Sequence, residues 1–339
     1  MVCKAKEPYV HSHVILPPKM RNLASCVGEQ AVKVSDSSCS GSGGSSSSGN
    51  NNNNSLSVLD SLVQRSVTSL YHARLSTSKE LLIRLTWSKT STGPTISVSV
   101  EGITFRNDES QKLATLNLQL LKKKKGSQSC VHRDTVVALL WDVSCTKFGS
   151  GPEPVDNNYY VVVVVDGEFA LLLGGWSKDY ININSSASSS NGSEFEGGIP
   201  TADSKMFGRK EHVVIHSVYS TKARFRDNGK DHEITIRCKG DSWDVKDSEL
   251  SVYMDKKKVV CEQRLDWNFR GNQIMFVDGS PVDLMWDVYD WWFGGPSGCA
   301  VFMFRARSSL ESRLWLEEEV LQKEQGPPGF TLLIQASKS

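Results

Sequence analysis

The sequence predicts an all-β protein: two tandem copies of one antiparallel sandwich- or barrel-like unit, with seven or eight strands each. Three observations predict it. Short apolar runs alternate with polar residues at a period of two, as in "TISVSVEG" (95–102), "LNLQLLK" (116–122) and "ELSVYMD" (249–255), which puts one face of each run against a core. Turn dipeptides separate the runs at Asp166-Gly167, Asn228-Gly229 and Asp278-Gly279, at a spacing typical of sandwiches and barrels. The second half also repeats the first. Residues 125–151 and 270–296 align without a gap at an offset of 145, sharing Gly126/Gly271, Gln128/Gln273, Leu139/Leu284 and the Trp-Asp-Val triplets at 141 and 286.

The elements follow in order. Residues 1–56 contain the Ser/Gly/Asn tract "SDSSCSGSGGSSSSGNNNNNSLS", which cannot bury enough apolar surface to order itself, so a disordered tail is expected. The first β unit spans 57–183. A second Ser/Gly-rich stretch, 184–200, reads as a linker or long loop, and the second β unit spans 201–339. Within that unit the capping-box pair Ser308 and Glu311, the shared face of Leu310, Leu314 and Leu321, and the stop Gly326-Pro327-Pro328 predict one helix over about 308–324.

Bulk composition excludes several function classes. With 39 basic and 38 acidic residues the net charge is +1, so no global field draws the chain to nucleic acid. No apolar run approaches the roughly 18 residues of a membrane span, and the N-terminus lacks the apolar centre of a signal peptide. An intracellular protein, cytoplasmic or nuclear, is expected. The eight cysteines include no C-x-x-C pair and read as reduced structural thiols, so neither a metal site nor a cofactor is expected.

The ordered segments "RNLASCVGEQAVKVSDSS", "LTWSK", "WDVSCTKFGSGPEP", "LDWNFRGNQIMFVDG", "WDVYDWWFG" and "AVFMF" resemble a plant family catalogued as domain of unknown function 868. The resemblance runs from Met20 onward and implies that residues 1–19 are an extension. It implies no activity, cofactor or catalytic residue.

Candidate sites therefore rest on the residues. Trp141, Asp142, Phe148 and Gly149 recur as Trp286, Asp287, Phe293 and Gly294. Presence in both copies marks a corner that the fold needs, with a buried Trp and an Asp that accepts turn N–H groups. Trp291 and Trp292 stand where the first copy has Thr146 and Lys147. With Asp290 they are the candidate partner-binding residues, one indole being expected at the surface. The run Lys122, Lys123, Lys124 and Lys125 and the run at 256–258 read as solvated strand ends. The alternative is a nuclear address or a contact to phosphate or an anionic membrane surface. No catalytic residue is identified. The expected function is a non-catalytic intracellular interaction or scaffold protein with a protein partner. The alternatives are a sandwich that binds a small ligand, carbohydrate or lipid, and an enzyme of unrecognised type.

Overall fold

Alternation at a period of two becomes seventeen strands in the computed structural model, which describes residues 64–103, 110–120, 122–181, 199–240, 248–307 and 329–338. The first half contributes β1 (Gln64–Arg74), β2 (Glu80–Thr90), β3 (Gly93–Ile103), β4 (Ser110–Gln119), β5 (Lys125–His132), β6 (Thr135–Asp142), β7 (Tyr160–Val165) and β8 (Glu168–Leu173). The second contributes β9 (Asp203–Ile215), β10 (Val218–Ala223), β11 (His232–Lys239), β12 (Glu249–Met254), β13 (Lys257–Gln263), β14 (Arg270–Val277), β15 (Ser280–Asp287), β16 (Cys299–Ala306) and β17 (Thr331–Lys338). The protein is all-β, with antiparallel pairing except where β9 meets β17 and at one isolated bridge. The helix expected over 308–324, the tail at 1–56 and most of the stretch at 184–200 lie outside the described residues.

The sheets form three blocks. Strands β5-β6-β7-β8 make one four-stranded meander and β10-β11-β12-β13 another. The third is a nine-stranded sheet of order β14-β15-β16-β17-β9-β1-β2-β3-β4. Two large hydrophobic cores result, with a smaller cluster of Tyr160, Val162 and Phe169 beside them. One gathers Leu81, Ile83, Val98, Leu139, Trp141 and Val163; the other gathers Ile234, Val252, Leu284, Trp286, Phe302 and Ile334. Each such side chain contributes about 1.5–3 kcal/mol by leaving water, and alternation in β2 and β16 aims every second residue inward.

Strand β9 joins the halves. It pairs antiparallel with β1 from Asp203 to Val213 and parallel with β17 from Gly208 to Ile215, so the nine-stranded sheet runs unbroken from one half into the other. A buried polar tie accompanies it. Glu211 is fully buried on β9; Arg209 donates to it at 2.6 Å, as do the hydroxyls of Tyr219 and Thr221 at 2.9 Å. The same guanidinium grips Glu153, from the β6–β7 loop of the first half, through two bonds of 2.9 and 2.6 Å. Burial alone would lower the Arg209 pKa, but bonding to Glu153 and the charges of both glutamates outweigh it and hold it above its ordinary value.

Candidate binding cleft

The two Trp-Asp corners are built alike. Gly126 lies opposite Trp141 and Gly271 opposite Trp286 in the β5–β6 and β14–β15 ladders, so each indole lies against a residue with no side chain. A Cβ at Gly271 would come within 2.1 Å of the Trp286 ring. Each indole N–H donates to a backbone carbonyl, Trp141 to Lys123 at 2.9 Å and Trp286 to Asn268 at 3.4 Å. Each Asp Oδ1 accepts the N–H two residues on, from Ser144 and from Tyr289, both at 3.0 Å. The other carboxylate oxygen meets the cross-strand base, Lys125 at 3.0 Å and Arg270 at 2.7 Å. Burial would raise the Asp142 pKa, but the Ser144 and Lys125 hydrogen bonds outweigh it and hold the carboxyl below its usual value. Beyond this the corners diverge. Phe148 packs on Trp87, with ring centroids 6.1 Å apart, whereas Phe293 is 44 % exposed beside Tyr289. Gly149 opens a loop, while Gly294 caps a helical turn and donates to Asp290 O at 2.8 Å.

The expectation that Trp291 or Trp292 stands at the surface is not met. Both are buried, 2 and 3 % exposed. The reason is local geometry: Tyr289–Phe293 forms a short helix, not a strand, so adjacent side chains diverge by about 100° instead of pointing to opposite faces. Both rings fit on the inward side, with Lys338 Nζ 5.6 and 5.9 Å from their centroids. Burial lowers the Lys338 pKa and pushes that of the buried Cys238 thiol up to about 12. Asp290 is exposed, and its carboxylate lies 3.8 Å from Cys299 Sγ. Of the four lysines, Lys122 and Lys123 form the β4–β5 turn, each donating its N–H to Gln119 O. Lys123 and Lys125 are spent on the Trp141 corner. All four are exposed.

The sequence-predicted residues thus converge on no common site, but a cleft opens elsewhere. It has a volume of about 730 Å³ and lies between β13 and β14, the edges of the two sheets that sandwich the second core. Ile274 and Phe276 of β14 stand at its rim, 52 and 77 % exposed, with Lys230, Lys257 and Lys258 around it. Lys258 pairs with Glu249 at 3.2 Å. Lys230 and Lys257 have no carboxylate at ion-pair distance among the described residues.

One wall of the cleft is tied by a buried histidine. His232 Nδ1 lies 2.7 Å from Asp255 Oδ2, and its Nε2 lies 3.0 Å from Asp278 Oδ2. Both aspartates occupy left-handed turn positions, Asp255 at φ 48° and Asp278 at φ 49°, so the β12–β13 and β14–β15 turns present carboxylates to the ring from opposite sides. Asp255 also accepts Glu233 N–H at 3.0 Å and Asp278 accepts Lys230 N–H at 3.3 Å. Asn228-Gly229 is therefore not a two-residue turn but part of a loop spanning 224–231, drawn over Asp278. A side chain at Gly229 would meet that carboxylate at 2.6 Å. Burial would lower the His232 pKa, but hydrogen bonds to Asp278 and Asp255 outweigh it and raise the pKa above 6.5. The aspartates are held low in return, Asp278 chiefly by His232, and Asp255 by the same bond against its own burial. An imidazole bound at both nitrogens has no lone pair left for a substrate proton. It is a clamp, not a base.

The family described as Plant protein of unknown function (DUF868) matches residues 62–338. The chain belongs to this plant family. No curated protein and no solved structure matches it. The family match covers both Trp-Asp corners, β9 and the whole cleft. No helix among the described residues is long and apolar enough to cross a membrane. In this DUF868 chain the cleft residues carry no spacing signature: His232, Asp255 and Asp278 are strung over 46 positions and meet only because the start of β11 and two turns share one end of the second core. The one signal at hand was Asp at the first position of two tight turns, the first of them running into the lysines at 256–258.

Proposed function

We propose that the protein is a non-catalytic intracellular interaction protein that takes a segment of another protein into the cleft between β13 and β14. The observation that carries this reading is the pair Ile274 and Phe276, large apolar side chains exposed on a sheet edge beside Lys230 and Lys257, which have no ion-pair partner among the described residues. Exposed apolar side chains on an unpaired edge invite strand addition unless a partner covers them. Two further features support it. The one histidine in the cleft is consumed by two carboxylates, and β9 with its buried Arg209–Glu211 tie joins the two ends of the nine-stranded sheet into a firm platform. The test is affinity capture from plant tissue extract with the wild-type chain and with Ile274→Asp/Phe276→Asp. Both positions are exposed, so the variant should keep the wild-type melting temperature. The expected result is a defined set of proteins captured by the wild type and lost with the variant. Identical sets would refute the reading.

A further inference from the structure

Resting on that reading of the cleft, we infer that its occupant is an acidic segment with apolar residues at alternate positions, held extended along the free edge of β14. The first argument is charge. Of the ionised groups lining the cleft, Asp255 and Asp278 are spent on His232 and on the N–H groups of Glu233 and Lys230, and Lys258 is spent on Glu249. One imidazolium offsets only one of the two carboxylates, but Lys230 and Lys257 outweigh the single negative charge that remains, so the net field of the lining is positive and favours carboxylates. The second is spacing. Ile274 and Phe276 are two residues apart on one face of a strand, which matches side chains at i and i+2 of an added strand about 6.8 Å apart. The third is the edge itself: β14 pairs with β15 alone among the described residues, leaving outward backbone groups to hydrogen-bond a guest. A second copy of this chain fits less well. Pairing β14 with itself would set Ile274 and Phe276 against their own kind but bring no acid to Lys230 and Lys257.

The test uses the full-length chain and three blocked synthetic peptides matched to the eight residues of β14. One alternates Glu with Val and Leu; in the others Gln or Lys replaces every Glu. Titration gives the affinity and hydrogen exchange locates the site. The Glu peptide should bind and protect amides within 272–276. The Gln peptide should bind about tenfold more weakly and the Lys peptide not at all. Lys230→Glu/Lys257→Glu should invert that order. Equal binding of all three, or protection away from β14, overturns the inference. So do β14 outward amides already protected in the free chain, with concentration dependence naming a second copy and its absence naming another part of this chain. Peptides that fail while Ile274→Asp/Phe276→Asp still loses its captured proteins overturn the acidic occupant and leave the interaction reading standing. Failure of both removes both.

Discussion

The two halves tie their sheets together at corresponding places but by different means, and the contrast separates scaffold from surface. In the first half Lys79, just ahead of β2, donates to Thr135 Oγ1 at 2.8 Å and pairs with Asp166 at 3.2 Å, with its side chain one-third exposed. In the second, His232 opens β11 and is clamped by two aspartates while 5 % exposed. The solvated pair can be lost at little cost, since exposed ion pairs contribute a few tenths of a kcal/mol. The buried one cannot, because removing the imidazole leaves two carboxylates facing each other. The Trp-Asp corners give the complementary lesson. Their hydrogen bonds agree bond for bond up to Asp142 and Asp287, and then one chain runs on as a loop and the other as a helix. What recurs is what the sandwich requires, and what differs is free to become a surface or a clamp.

The sharpest way to break that comparison is to graft one corner onto the other. Trp291→Thr/Trp292→Lys copies the first half's residues into the second. Because both rings are buried, the graft should cost roughly 3–5 kcal/mol per indole. That rivals the whole stability of an ordinary domain. Circular dichroism and chemical denaturation should show a largely unfolded second half, and a variant as stable as wild type would mean that these rings are surface after all.

His232→Gln comes next, and pH sharpens it. The folded pKa of His232 lies above 6.5, so its stabilisation is fully present below the unfolded value and fades as pH rises through the folded one. The aspartate pKa values are lowered, so their share is present above 3.8 and is lost as pH falls through the folded values. The clamp is therefore strongest in the window between 3.8 and 6.5. There the variant should cost about 2 kcal/mol, discounted because Asp255 is partly solvated. The gap between wild type and variant in urea titrations should narrow at alkaline pH. A gap independent of pH would show that the ring acts by packing alone.

How much of this was legible in the sequence follows from how local each feature is. Period-two alternation and Asp-Gly turns are properties of neighbouring residues, and the β-rich fold could be read from them. The Trp141 and Trp286 corners were legible because Gly, Trp and Asp recur at one spacing. Trp291 and Trp292 misled because five residues between a strand and a turn carry no period. Only the backbone, helical at Tyr289–Phe293, decides that both rings face inward. The cleft was not legible at all, since His232 comes from the start of β11, Asp255 and Asp278 come from two separate turns, and the exposure of Phe276 depends on β14 being an edge.

The third test uses the glycines beneath the tryptophans. Gly271→Ala would put a methyl 2.1 Å from the Trp286 ring, and the nearest three atoms all belong to that buried indole. Overpacking of this kind costs about 1–3 kcal/mol. At Gly126 the nearest atom, at 2.6 Å, is Cε of the exposed Lys123, which can swing away, and Trp141 is 3.2 Å off. Gly126→Ala should therefore lower the melting temperature clearly less than Gly271→Ala. Equal losses would show that the two corners are packed to the same tightness.

The smallest effect concerns the bases that cap the aspartates. Lys125 and Arg270 hold equivalent places opposite Asp142 and Asp287, and both are largely solvent-exposed, so neither charge pair should matter much to stability in high dielectric. They differ in what else they touch. Among the described residues the Lys125 ammonium is paired with its carboxylate and stacks on no ring, whereas the Arg270 guanidinium also lies 5.5 Å from the Phe269 ring and 6.0 Å from the Tyr289 ring. Guanidinium stacking on aromatic faces survives salt better than a point-charge pair, because part of it is dispersion and excluded water. Arg270→Ala should thus lower the melting temperature more than Lys125→Ala, and Arg270→Lys should recover little of the loss. Raising the salt to 1 M should erase the Lys125 effect and leave most of the Arg270 effect, since screening then acts within about 3 Å. If both effects vanish together in salt, the arginine is no more than a second lysine, and the two corners are equivalent down to their outermost atoms.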